Sequence, residues 1–185
     1  SMVDSYLLAA VTAAGVRNLT VYKRLKAAVI TTGDELQNTE TPLQPGKIYD
    51  ANGIWLCTRL REMDCEVVRY QTAGDDQSKI ADEIREAWKE ADLILTTGGA
   101  GCAAGDCMPE ATMEIVDRPV PGIPEAMRAY TSQMTKRAML NRSAAGIRGN
   151  VLIVNLPGKP GAAKHCLEYI LPEITHAVKL IQKQV

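Results

Sequence analysis

The sequence predicts an α/β protein of three layers, a mostly parallel sheet with helices on both faces. Apolar runs rich in β-branched residues alternate along the chain with stretches of helical period. The runs are short and continuously apolar, as strands buried on both faces are. Three of them end in turns carrying glycine beside threonine, aspartate or proline. Such alternation requires crossover connections, and crossovers require parallel neighbours.

Each element follows in order. Residues 1–24 read as a lead-in or connector: "SYLLAAVTAAGVRNLTVYK" has a short helical pattern closing at Gly15, then a small strand-like piece. Residues 25–185 read as one domain. "LKAAVITT" (25–32) is a buried strand ending at Gly33, and a glycine- and proline-bearing loop follows it. "DANGIWLCTRLREMD" (50–64) places Ile54, Trp55, Leu60 and Met63 at helical spacing behind Asp50 at the helix start. "CEVVRYQT" is a second strand. "DDQSKIADEIREAWKEA" (75–91) repeats the helical period through Ile80, Ile84, Ala87 and Trp88, and "DLILTT" (92–97) is a third strand running into "TTGGAGCAAGD". "PEATMEIV" starts a helix with Pro109 in its first turn, and "IPEAMRAYTSQM" starts another. "VLIVNLPGKPG" (151–161) is a further strand, and 162–183 form a long amphipathic closing helix. The turns at 32–35, 97–106 and 155–161 are expected on one rim, at the carboxyl ends of the strands, where open α/β sheets bind ligands.

Composition narrows the function. The chain has 185 residues, 46% hydrophobic and 23% charged, which fits one ordinary globular domain. A formal charge of -1 argues against a nucleic-acid partner, and basic residues are scattered apart from Lys23, Arg24 and Lys26. No signal-peptide pattern or membrane-length apolar run is seen, so a soluble, cytoplasmic protein is expected. Five cysteines, an odd number without CxxC spacing, fit a reducing compartment. Cys102 and Cys107 bracket the glycine loop and raise a thiol nucleophile as a candidate. His165 and His176 lie far off in the last helix, so space-filling is the preferred reading and no metal is assigned to cysteine or histidine.

Two readings stand for the glycine loop. One is a tight structural turn. The other is a phosphate bed, since glycine lets backbone N–H groups approach an anion and the helix behind offers more of them. The loop is neither a Walker A sequence nor a dinucleotide fingerprint. Carboxylates beside a phosphate imply a hard cation between them, and Asp34, Asp50 and Asp106 are the candidates by position for Mg2+. Helix capping is the equal alternative for Asp34 and Asp50.

The strings "TTGGAGCAAGDCMPEAT", "DRPVPGIPEAMR", "AMLNRSAAGIRG" and "LIVNLPGKP" occur in an order that resembles the molybdopterin-binding domain of molybdenum cofactor biosynthesis, over residues 25–180. The resemblance is strongest to its molybdopterin adenylyltransferase branch. It implies a frequently trimeric three-layer domain that uses Mg2+ and ATP to place AMP on the terminal phosphate of molybdopterin, and a molybdotransferase as a partner. By matched position, Thr97, Gly98, Gly99 and Gly101 would cradle phosphate and Asp106 would be the Mg2+-associated acid. Asp50 would be the second acid, Asp34 an acidic group of the first turn, and Asn155, Pro157 and Gly158 would line the neighbouring wall. "VYKRLKAAVITTGDELQNTETPLQPGKIYDANGIWL" and the segment before it are similar instead to molybdopterin molybdotransferases. "TGDEL" and "TAGDD" also resemble competence-damage-type domains.

The chain departs from the adenylyltransferase pattern at Ala100, Gly105 and Met108, where that branch carries threonine, arginine and threonine. Each change removes a donor or a charge. Binding and AMP transfer are therefore expected to come apart, and a non-catalytic molybdopterin-binding module or a molybdotransferase-type domain stand as alternatives to a working enzyme.

Overall fold

The computed structural model describes residues 4–21 and 23–183. In chain order the elements are α1 (Ser5–Ala13), β1 (Lys26–Thr32), β2 (Leu36–Gln37), β3 (Ile48–Tyr49), α2 (Ala51–Glu62), β4 (Glu66–Ala73), α3 (Gln77–Trp88) and β5 (Leu93–Thr97). They continue with α4 (Met108–Ile115), β6 (Arg118–Pro119), α5 (Gly122–Ser132), a 3-10 turn (Lys136–Leu140), β7 (Ala145–Arg148), β8 (Val151–Leu156) and α6 (Pro160–Ile181).

Six strands form the main sheet in the order β4-β1-β5-β8-β7-β6. The first four are parallel, while β7 and β6 add an antiparallel edge. The sheet is thus mostly parallel, as the alternation requires. The edge pair was not expected from sequence, because β6 is two residues long and β7 opens with Ala-Gly.

Strand periodicity divides the core in two. Ala27, Val29, Leu93, Leu95, Leu152 and Val154 face one side and pack with Leu56, Cys57 and Leu60 of α2, Met127 of α5 and the buried stripe of α6. Ala28, Ile30, Ile94 and Ile153 face the other side, against Ile80, Ala81 and Ile84 of α3 and Met108, Ala111 and Ile115 of α4. That arrangement is a three-layer α/β/α sandwich.

Local chemistry sets most helix starts. Asp50 and Asp76 cap α2 and α3 by accepting the N–H groups of Gly53 and Lys79, and proline opens α4 and α6. The structure corrects two helix faces. In α2 the buried set is Gly53, Leu56, Cys57 and Leu60, while Ile54 points outward, 52% exposed. Trp88 at the end of α3 lies on the surface, its ring 4.7 Å from the Arg148 guanidinium and its indole N–H donating to the Arg148 carbonyl.

The lead-in contains the expected helix, capped by Asp4, but α1 buries none of its residues. The strand-like piece after Gly15 is not a strand over 16–21, and Tyr22 lies outside the described residues. No helix among the described residues is long and apolar enough to cross a membrane.

Candidate functional site

Connections leave β1 toward β4 and leave β5 toward β8, so the chain path reverses between these two neighbouring strands. That reversal opens a crevice at their carboxyl ends. A cavity of about 470 Å³ occupies it. Its walls come from the turn after β1, the glycine loop after β5 and the turn after β8, with the first residues of α2. The three turns expected on one rim do meet there.

The glycine loop is shaped by near contacts that exclude side chains. Gly98 and Gly99 have φ of 101° and 57°, and a Cβ on Gly98 would lie 2.3 Å from the carbonyl oxygen of Thr32. From the other side, a Cβ on Gly158 would lie 3.2 Å from the Gly98 Cα. The two turns therefore touch at bare backbone. Thr97, buried, donates its hydroxyl to the Pro157 carbonyl at 2.8 Å and accepts from Asn52 at 3.2 Å. Asn52 also donates to the Gly158 carbonyl at 2.7 Å, so one side chain of α2 ties both turns together.

The expected acidic residues occupy three different settings. Asp50 lines the cavity floor but is 5% exposed and heavily bonded. Its Oδ1 accepts the Gly53 N–H at 2.9 Å, and its Oδ2 accepts the hydroxyls of Thr31 and Tyr70, each at 2.6 Å. Burial, and then the hydrogen bond to Asp50, raise the Tyr70 phenol well above its ordinary pKa, so it remains a donor. This position of α2 is glycine, Gly53, because a Cβ there would collide with the Tyr70 ring and the Asp50 carboxylate. Asp106 lines the wall half-buried, with Oδ2 accepting the Ala103 N–H at 2.6 Å. Asp34 is exposed, outside the lining, and exchanges hydrogen bonds with Asp75: each backbone N–H donates to the other's carboxylate, at 3.2 and 3.1 Å.

Asp75 does line the cavity, as does Glu35. Burial first, then the charges of Asp34, Glu35 and Asp106, raise the Asp75 carboxyl above its ordinary pKa. Among the described residues no group of three or more acidic, cysteine or histidine side chains is gathered closely enough to hold a metal alone. A cation there would need ligand oxygens as well, and Asp106 has an oxygen to spare where Asp50 has none. That donor set fits Mg2+, which takes one or two carboxylates together with phosphate oxygens.

Other expected residues sit elsewhere. Asn155 is fully buried behind the rim; its amide donates to the hydroxyls of Thr96 and Thr112 and its oxygen accepts the Ala144 N–H, so it braces β5, α4 and the residue that leads into β7. Pro157 contributes its carbonyl to Thr97 and stays outside the lining. Met108 is fully buried in the core against α3, so no donor at that position would face the cavity. Cys102 is exposed, and burial together with Asp75 and Glu110 pushes the Cys107 thiol upward, the opposite of what a nucleophile needs.

Asn52, Tyr70 and Arg142 were not expected. Asn52 and Tyr70 lie at unremarked places in a helix and a strand. Arg142 lies inside the quoted string "AMLNRSAAGIRG", which carried no role for it.

Comparison with known proteins follows the same lines. The chain is 40% identical over 114 residues to the molybdopterin adenylyltransferase of Helicobacter pylori, covering 60% of this chain and 65% of that protein. It is 33% identical over 184 residues to molybdopterin molybdenumtransferase 2 of Mycobacterium tuberculosis, covering 97% of this chain but 43% of that protein. The match therefore spans less than two thirds of either relative. The molybdopterin biosynthesis enzyme MoaB of Thermus thermophilus superimposes with a TM-score of 0.73 at 36% identity, over 85% of this chain and 96% of that one. Residues 28–176 match the family model described as "Probable molybdopterin binding domain". From its first core strand to its closing helix, this chain belongs to the molybdopterin-binding domain family.

Proposed function

We propose that this chain works in molybdenum cofactor biosynthesis by transferring AMP from Mg-ATP to the terminal phosphate of molybdopterin. A phosphate oxygen of the pterin attacks the α-phosphorus of ATP, a new P–O bond forms, and the bond to pyrophosphate breaks. Such chemistry asks the protein for alignment and charge stabilisation more than for covalent help. The observation that carries the reading is the switch-point crevice itself: a side-chain-free backbone bed at Gly98 and Gly99, with Asp106 on its wall. Mg2+, when bound, supplies charge neutralisation and a template for the phosphates. Asp106 would hold it, Asp50 would fix the floor through Tyr70 and Thr31, and the loop N–H groups would receive the phosphates. In the same reading residues 25–185 are the functional domain, residues 1–24 a lead-in or connector, and the assembly a homotrimer, which sedimentation at micromolar concentration checks.

The deciding experiment incubates the protein with molybdopterin, Mg2+ and α-labelled ATP. Label on the pterin with release of pyrophosphate is expected. Pterin binding without label transfer would leave a binding module. A second reading, a molybdotransferase-type domain, is favoured by one finding: the match to the M. tuberculosis protein takes in nearly the whole chain, lead-in included. Molybdate-dependent consumption of adenylylated molybdopterin would select it.

A further inference from the structure

The glycine loop carries no cation of its own, yet a guanidinium holds it from outside. Arg142, which precedes β7, donates from Nε to the Gly101 carbonyl and from Nη2 to the Asp106 carbonyl, both at 2.6 Å. Its backbone N–H donates to the Ala100 carbonyl at 2.9 Å. The same guanidinium forks onto both carboxylate oxygens of Glu110 on α4, and that hydrogen bond holds the Glu110 carboxyl below its ordinary pKa. The base of the strap is itself fixed, because Arg128 donates to the carbonyls on either side, Asn141 at 3.3 Å and Ser143 at 3.5 Å.

Peptide geometry gives this arrangement a direction. In a trans peptide the N–H points opposite to the preceding C=O. Drawing the carbonyls of Ala100, Gly101 and Asp106 toward Arg142 therefore turns the N–H groups of Gly101, Cys102 and Cys107 away from it. Among the described residues, none of these three donates to another protein group. Ala100, Gly101 and Asp106 line the cavity, while Cys102, Cys107 and Arg142 are outside its lining.

We propose that Arg142 is a positioning residue of this site: its guanidinium, through the Gly101 and Asp106 carbonyls, holds the loop so that Gly101 and Asp106 face the bound phosphates, in place of a cation on the loop. The identity of the ligand rests on the function proposed above; the aiming of the loop does not. Lysine has the charge but not the fork, so Arg142→Lys separates the two contributions.

The test compares Arg142→Ala and Arg142→Lys with the unaltered chain in amide hydrogen exchange, binding of inorganic pyrophosphate, and steady-state AMP transfer. Losing charge-assisted bonds should speed exchange at the bonded loop amides of Ala103 and Asp106 and weaken pyrophosphate binding by about 10-fold each in Arg142→Ala, with β5 and α6 unaffected. Transfer should lose kcat more than it changes the KM for molybdopterin. Arg142→Lys should restore less than half of the binding, and added guanidinium ion should restore Arg142→Ala in part. Pyrophosphate affinity unchanged in Arg142→Ala, even with faster loop exchange, would overturn the proposal. Absence of AMP transfer with the pyrophosphate effects intact would overturn adenylyl transfer instead and leave Arg142 in place.

Discussion

The two loops that face each other across the crevice are held in contrary ways. The one after β1, residues 33–49, is mostly exposed and bonds chiefly to itself. Its short parallel pair joins Leu36 to Ile48 and Gln37 to Tyr49, the Gln37 side chain grips Thr41 and Pro42, and Lys47 donates to the Asp34 carbonyl. Its described ties to the rest include the Asp34–Asp75 exchange and one long bond from Gly33 to Ala73. The loop after β5 is anchored from below by Met108, whose N–H donates to Gly99, and from outside by Arg142. One wall can adjust to what enters and the other is preset. A site that reads phosphate by backbone needs the preset wall; the variable part of a ligand can be left to the other.

The largest expected effect comes from the preset wall. Asp106→Asn keeps shape and removes charge, and AMP transfer should fall about 100-fold with the melting temperature nearly unchanged. Unaltered transfer would remove the metal-associated role. Next is Met108→Thr, the residue found in the adenylyltransferase branch: because the side chain is core, it should cost about 2 kcal/mol in denaturant unfolding and improve nothing at the site. Enhanced transfer would mean that the loop's underside communicates with the cavity.

Tyr70→Phe takes one of three partners from Asp50 and should cost about 1 kcal/mol of stability. Ile48→Ala, in the adjustable wall and 53% exposed, should change stability by less than about 0.5 kcal/mol while altering pterin affinity a few-fold. The smallest effect concerns acid. Arg142 lowers the Glu110 pKa in the folded state, so the stability this pair contributes is present above the ordinary value of 4.5 and is lost as pH falls through the lower folded value. The difference in melting temperature between the unaltered chain and Glu110→Gln should therefore close below that pH.

Much of this was legible in the sequence, for physical reasons. β1, β5 and β8 are buried on both faces, and a strand without a wet side has to be a continuous apolar run. The turns were legible because Gly98 holds a left-handed φ where a Cβ would strike the Thr32 carbonyl, and glycine is visible in a string. Arg142 was not, because it acts from its side chain on backbone carbonyls about forty residues away, and carbonyls leave no mark on residue type. Asn155 misled for a related reason: an asparagine saturated in the core and one at a wall are the same letter. For Met108 a sequence comparison sees a lost hydroxyl, while the structure shows a side chain turned inward.

The contact between Gly98 and Gly158 has a consequence for how such a protein changes over time. Where two main chains touch without side chains, there is no rotamer to adjust and no volume to trim, so substitution at Gly98 offers only the present form or its loss and at Gly158 asks the facing backbone to give. Gradual retuning of affinity or rate has to come from residues one layer out, such as Asn52 bridging the two turns and Arg142 behind the loop. Variation among relatives should accordingly be coarse at the joint and graded around it.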